Sequence, residues 1–150
     1  MSSGGYEIST DPERLDIDAI HAFLSTEAYW SPGVSRAVVE RSIAGSLPFG
    51  VYVAGSGEQV GFARVVTDTA TFAWIADVYV VAEHRGRGLG KRLVEAILSE
   101  PELQGLRRWL LATADAHELY RRFGFDAVVR PERFMALESG AAADACSSAP

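Results

Sequence analysis

The sequence predicts an α/β fold in which helices pack on a mixed, twisted sheet of about seven strands, with about four helices. A length of 150 residues with 48 % hydrophobic and 23 % charged residues suits a single core. Three apolar runs of strand length, 49–54, 60–66 and 71–81, follow one another with short turn-like segments between them. The third run leads into a glycine-rich loop, a helix and another apolar run, which is the pattern of a right-handed unit with parallel strands.

The elements before the glycine-rich loop are predicted from periodicity and from end signals. Residues 6–9 alternate weakly and predict a short first strand. Asp16 is a helix-start signal, and Ser35 and Gly45 mark the beginning and the end of a second helix. The three apolar runs then form antiparallel strands, so the first half of the sheet is antiparallel.

The elements after the loop complete the sheet. The helix from Gly88 stops near Pro101. The apolar run 106–112 is expected to lie parallel beside the strand ending at Val81, as a central pair of strands.

The last elements are a short helix and a hairpin. Asp115 is predicted as the N-cap of a helix that ends before Gly124. Residues 126–129 and 133–137 predict a closing hairpin. We expect residues 1–138 to form one domain and residues 139–150 to form a disordered tail.

Composition excludes several classes of protein. The longest apolar runs are far short of the roughly 20 residues that span a bilayer, and no signal peptide is recognised, so we expect a cytosolic protein without a membrane partner. Cys146 is the only cysteine, which argues against a disulfide and a metal site. The net charge of −6 resides in residues 1–81, which hold ten acidic and four basic residues, so nucleic acid is not an expected partner.

The glycine-rich loop holds most of the chemical information. In residues 84–91, His-Arg-Gly-Arg-Gly-Leu-Gly-Lys, glycines allow a ligand to approach the backbone, and the helix that follows offers unpaired N–H groups. This combination suits a phosphate or pyrophosphate. The spacing fits neither the dinucleotide-binding fingerprint, because Lys91 replaces its third glycine, nor the P-loop, because Arg85 and Arg92 occupy required positions.

Two motifs carry a resemblance to a known family. Arg85-x-x-Gly88-x-Gly90 and the segment 116–125, Ala-His-Glu-Leu-Tyr-Arg-Arg-Phe-Gly-Phe, together resemble the signatures of the GNAT superfamily of acyl-CoA-dependent N-acyltransferases. The resemblance implies acetyl-CoA as co-substrate and a GNAT-like sheet, in which the central parallel strands splay apart at the Val81 end and leave a slot for the pantetheine arm. It also implies acetyl transfer to a primary amine of a small molecule by direct attack in a ternary complex, with no metal, and it permits a homodimer.

The resemblance also implies roles for individual residues. Tyr120 matches a tyrosine that protonates the departing thiolate. Backbone contacts to the pantetheine arm and contacts to the pyrophosphate map, in chain order, to Val78, Tyr79, Val80, Arg85, Gly86, Arg87, Gly88, Leu89, Gly90 and Lys91.

The general base is where the chain departs from the family pattern. Many members have a glutamate near the position of Trp74, so the nearest acid is Asp77, our candidate base. Strict alternation puts Asp77 on the face opposite Val78 unless a bulge re-aims it. His21 and His117 are weaker candidates.

Aromatic residues indicate the acceptor site. Tyr29, Trp30 and Trp74 are the predicted substrate-binding residues, and beside Glu27 and Asp77 they would suit an amine with a flat or cationic group. A protein or peptide amine acetyltransferase and a non-catalytic acyl-CoA-binding module remain as alternatives.

Overall fold

The computed structural model describes residues 2, 3 and 5–139, and their sheet follows the order of the chain. Pairing is antiparallel from the first strand to the fifth, and the fifth and sixth strands are parallel. The prediction of about seven strands is wrong, because the sheet has five strands of four residues or more and a two-residue edge strand. The six are β1 Ser2–Ser3, β2 Tyr6–Ser9, β3 Leu47–Val53, β4 Gln59–Thr67, β5 Phe72–Val80 and β6 Arg108–Leu111.

Four α-helices lie within the described residues, in agreement with the expected number. The caps of the first two are the predicted ones: the Asp16 carboxylate accepts a hydrogen bond from the Ala19 N–H at 3.0 Å, and the Ser35 hydroxyl accepts one from the Val38 N–H at 3.2 Å. The helices are α1 Ile17–Thr26, α2 Arg36–Ala44, α3 Leu89–Ser99 and α4 His117–Arg121. None of the helices among residues 2, 3 and 5–139 is long and apolar enough to cross a membrane.

The predicted closing hairpin accounts for the missing strands. Between residues 126 and 139 the structure has one short 3₁₀ turn, Pro131–Arg133, and no strand. Val129, Met135 and Leu137 are more than 90 % exposed. A strand gains stability from a paired neighbour and a buried face, and neither apolar run has either, so strand-like composition alone does not produce a hairpin here.

The sheet is covered on both faces. α3 packs on one face through Leu89, Leu93 and Ile97, all at most 2 % exposed. α1 and α2 contribute to a second buried cluster with Phe62 of β4 and Tyr79 of β5. This burial holds in place the strands beside which the candidate functional residues lie.

The pairing of the two parallel strands stops well before the end of β5. Pairing between β5 and β6 runs from Phe72 and Arg108 to Ile75 and Leu111, and it ends there. β5 continues to Val80 without β6 beside it. Residues 76–80 of β5 therefore have no paired strand among the described residues on the edge that faces away from β4, and they lie next to the glycine-rich loop. We call this unpaired stretch the released edge of β5.

Candidate functional site

The glycine-rich loop has the backbone geometry of an anion site. Gly86 and Gly88 have φ values of +79° and +75°, and nothing lies within 4 Å of a Cβ built on either residue. Gly88 is the N-cap of α3, and no side chain caps the helix there. The first-turn N–H groups of α3 therefore have no acceptor within the helix, and the positive end of the helix dipole lies at the loop. This arrangement fits a pyrophosphate.

A cavity of about 540 Å³, which we call the loop cavity, extends from this loop along the released edge of β5. Its lining includes eight of the ten predicted cofactor-binding residues: Val78, Tyr79, Val80, Arg85, Gly86, Gly88, Leu89 and Gly90. Arg87 and Lys91 are the two that lie outside the lining. A long ligand could thus contact the loop and the strand edge within one continuous space.

The arginine side chains of the loop contact the protein itself. Arg87 donates from Nη1 to the Tyr6 hydroxyl at 2.8 Å, and that hydroxyl lies 2.8 Å from His84 Nδ1. Arg85 donates from Nε to the Val80 carbonyl at 2.8 Å. Both guanidinium groups hold the loop against β2 and β5, which leaves the backbone amides as the main candidates for contact with an anion.

A β-bulge in β5 re-aims Asp77, as the sequence required for a role in the site. Phe62 pairs with Tyr79 and Arg64 pairs with Ala76, so two residues of β5 oppose the single residue between them on β4. Asp77 has a φ of +56°, a conformation that costs a non-glycine residue about 1 kcal/mol.

The re-aimed carboxylate of Asp77 is held at both oxygens. Oδ1 accepts from Trp30 Nε1 at 2.8 Å, and Oδ2 accepts from Arg64 Nε at 2.6 Å. The Asp77 side chain is 12 % exposed. An ionised carboxylate with two such donors is well satisfied in a half-buried position.

A second cavity, of about 490 Å³, opens beside this bulge, and we call it the bulge cavity. The three predicted substrate-binding aromatic residues, Tyr29, Trp30 and Trp74, all line it, together with Asp77 and Arg64. The structure therefore brings the predicted acceptor residues to one place.

Tyr120 lines both cavities. Its side chain is 6 % exposed and packs edge-on against Phe125, with 5.8 Å between ring centroids. No residue among 2, 3 and 5–139 pairs with its hydroxyl. Burial, with a smaller contribution from the nearby charge of Asp115, raises the pKa of Tyr120 to about 12. The hydroxyl therefore stays protonated at neutral pH, on a residue that lines both cavities.

The beginning of α4 differs from the prediction. Ala116 occupies the N-cap position, where no side chain caps the helix, and the Thr113 hydroxyl accepts from the Ala116 N–H at 3.0 Å. Asp115 is not the N-cap. It lines both cavities instead, beside Tyr120. The short turn formed by Thr113 replaces the predicted capping box.

Sequence reasoning missed two charged residues of the site, Arg64 and Asp115. The sequence did contain an indication that Arg64 has a special role, because it is the one charged residue in the apolar run 60–66. The weaker base candidates lie elsewhere: His21 is 3.0 Å from the Val34 carbonyl through Nε2, and His117 is exposed on α4.

Comparisons with known proteins agree with this geometry. A family model described as "Acetyltransferase (GNAT) domain" matches residues 48–127. A Gibberella zeae protein provisionally named an acetyltransferase is 38 % identical over 137 aligned residues, covering 78 % of this chain and 76 % of that protein. A crystal structure from Xanthomonas campestris pv. campestris, provisionally described as a GNAT-family acetyltransferase, is 46 % identical with a TM-score of 0.87, covering 92 % of this chain and 96 % of that chain. A Deinococcus radiodurans R1 structure, 20 % identical with a TM-score of 0.70 and covering 97 % and 94 %, shares the fold.

Proposed function

The chain belongs to the GNAT family of acetyltransferases, and we propose that it transfers an acetyl group from acetyl-CoA to the primary amine of a small molecule. The observation that carries the proposal is that Tyr120, whose hydroxyl has no partner in the described part of the chain, lines both the loop cavity and the bulge cavity. A donor in the first cavity and an acceptor in the second would meet beside this residue. Direct attack in a ternary complex requires such an arrangement.

The loop cavity supports acetyl-CoA as the co-substrate, which supplies an acetyl thioester. The amides at Gly86, Gly88 and the first turn of α3 would hold the pyrophosphate. The released backbone edge at Val78 to Val80 would pair with the amides of the pantetheine arm. A cofactor bound along this path runs from the loop toward Tyr120.

The reaction requires mainly that the amine and the thioester are positioned together, and that two protons are transferred. As the acceptor nitrogen bonds to the acetyl carbon, the carbon–sulfur bond breaks, and the Tyr120 hydroxyl gives its proton to the sulfur. Asp77 is our proposed acceptor for the proton that the amine loses. Tyr120 then regains a proton from solvent and Asp77 releases one to solvent, which completes the cycle.

A small acceptor is favoured by the size and the closure of the bulge cavity. About 490 Å³ lies within the range of small-molecule sites. The Tyr29 hydroxyl accepts from the Ala114 N–H at 2.8 Å, and the Trp30 indole donates to Asp77, so the segment between α1 and α2 is tied across the site at two points. These ties support a small molecule over a peptide.

The proposal is tested with a panel of primary amines, scored by release of free thiol from acetyl-CoA. We expect at least one small amine to give turnover well above hydrolysis without an amine, and its product to show the mass of one added acetyl group. The Gly88→Glu variant serves as the inactive control. Tight binding of acetyl-CoA without thiol release for any amine in the panel would favour the non-catalytic module instead.

The proposed base gives a prediction that depends on pH. Asn keeps the shape of Asp77 and tolerates its positive φ, but it cannot accept the amine proton. We expect Asp77→Asn to lower kcat about 10-fold at pH 7, and the defect to shrink as the pH approaches the pKa of the acceptor amine, because the amine then enters neutral. A pH–rate profile of both proteins measures this. A defect of constant size across pH would assign Asp77 to positioning alone.

A further inference from the structure

Among the described residues that line the bulge cavity, Arg64 is the one with a positive charge, and the proposed reaction does not use it. It lies on β4 between Ala63 and Val65, both 0 % exposed, while its own side chain is 20 % exposed. An arginine in a central strand is rarely kept unless its charge has a partner or a task.

The structure holds the guanidinium group of Arg64 in one orientation. Nε donates to Asp77 Oδ2 at 2.6 Å, and Nη1 donates to the Ser46 hydroxyl at 3.2 Å. Asp77 is itself fixed by Trp30. A guanidinium group has five N–H donors, so three of those of Arg64 have no acceptor among residues 2, 3 and 5–139.

Arg64 lies beside the proposed base Asp77, on the part of the bulge cavity that the loop cavity does not share. Tyr120 and Asp115 line both cavities, whereas Arg64 lines the bulge cavity alone. Trp74 and Leu111 contribute apolar surface to the same cavity. An acceptor whose amine lies beside Tyr120 would therefore extend its remaining part past apolar side chains toward a fixed guanidinium group.

We propose that the acceptor amine carries an anionic group, a carboxylate or a phosphate, and that Arg64 binds it. The inference rests on the proposed acetyl transfer and adds the class of acceptor. Arginine presents a planar fork that matches both anions with paired hydrogen bonds. Because Asp77 is already paired with Arg64 and Trp30, we assign it the role of proton acceptor and not that of a charge partner for a cationic group, in contrast to the sequence-based expectation. Asp115 provides the negative charge near the amine end, so the cavity suits a molecule with opposite charges at its two ends.

The test compares amines that differ only in the anionic group. Ethanolamine is paired with O-phosphoethanolamine, and tyramine with tyrosine, so the two pairs distinguish phosphate from carboxylate. Calorimetry in saturating CoA gives the Kd of each without turnover. We expect one anionic amine to bind at least 10-fold more tightly than its neutral partner, and Arg64→Gln to bring that ratio close to one.

Two further variants separate recognition from folding. Arg41→Gln removes an equal charge from an exposed position on α2, and it should leave the ratio unchanged. Arg64→Lys keeps a positive partner for Asp77 but loses the planar fork, so it should fold if Arg64→Gln does not and should still reduce the ratio several-fold. A merely structural ion pair would weaken both members of a pair equally and leave the ratio intact.

The outcomes distinguish this inference from the proposed function. Equal affinity for both members in the wild type, a preference that survives in Arg64→Gln and Arg64→Lys, or binding of neither member would each overturn the role of Arg64. Thiol release is followed with the same amines. Acetylation of a neutral amine without any preference refutes the inference and retains the function, whereas an Arg64-dependent preference without thiol release supports only anion binding by Arg64 and refutes the function.

Discussion

Replacing Gly88 with glutamate is expected to raise the Kd for acetyl-CoA at least about 100-fold, to the point where binding is no longer detected. The new side chain would begin at a φ of +75°, which disfavours residues with a Cβ. Its carboxylate would lie at the N-terminus of α3, where it would take the place of the pyrophosphate and repel it. Calorimetric titration with acetyl-CoA measures the loss.

Gly57 offers a matched control for this variant. It has a φ of +76° in the turn between β3 and β4, and nothing lies within 4 Å of a Cβ built on it. Gly57→Glu therefore adds the same charge and a similar backbone strain away from both cavities, and it should keep the wild-type Kd. Binding of acetyl-CoA by Gly88→Glu at wild-type affinity would refute the pyrophosphate site, and equal losses in both variants would point to a general effect of charge or strain.

The local signals in the sequence predicted the elements that depend on neighbouring residues. The caps at Asp16 and Ser35 are the observed caps, and Gly45 ends α2 as expected. Each depends on a side chain or a glycine within a few positions of the helix end. The glycine-rich loop was predictable for the same reason, since the strand before it and the helix after it are both local patterns.

The parts that sequence could not provide depend on register and on available partners. Asp77 meets Trp30 and Arg64, which are 47 and 13 positions away, only because a bulge shifts the pairing of β4 with β5. Alternation can say that a bulge would re-aim Asp77, but it cannot say that one exists. The predicted closing hairpin does not form because its two apolar runs have a suitable composition but no neighbouring strand to pair with among those that the structure describes.

Tyr120 shows what the motif in residues 116–125 predicts correctly and what it does not predict. The resemblance selected this residue, and the structure brings it to both cavities. The periodic pattern predicts Leu119 and Phe123 as the buried stripe with Tyr120 at its margin, yet Tyr120 is the buried residue of α4 and the other two are half-buried. α4 has only five residues, so its packing is decided by neighbours such as Phe125 rather than by helical periodicity.

Replacing Tyr120 with phenylalanine is expected to lower kcat about 100-fold while leaving the Kd for acetyl-CoA nearly unchanged. Phenylalanine keeps the ring that packs against Phe125, so only the proton donor is lost. The rate of free-thiol release with an amine from the panel gives kcat, and calorimetry gives the Kd for acetyl-CoA. Tyr52→Phe is the matched control, because the Tyr52 hydroxyl is also buried, lies outside both cavities and has no hydrogen-bond partner among the described residues.

The pH dependence of the wild type tests the same role. Burial raises the pKa of Tyr120 to about 12, above the ordinary value of about 10, so its hydroxyl stays protonated through the range in which the amine becomes neutral. The proton donor should therefore cause no fall in kcat between pH 7 and pH 10. The raised pKa also favours the folded state fully below pH 10, and that contribution is lost as the pH rises toward 12. Tyr120→Phe should remove this loss of stability at high pH. If Tyr120→Phe turned over at the wild-type rate, Tyr120 would have only a packing role and water would supply the proton to the thiolate.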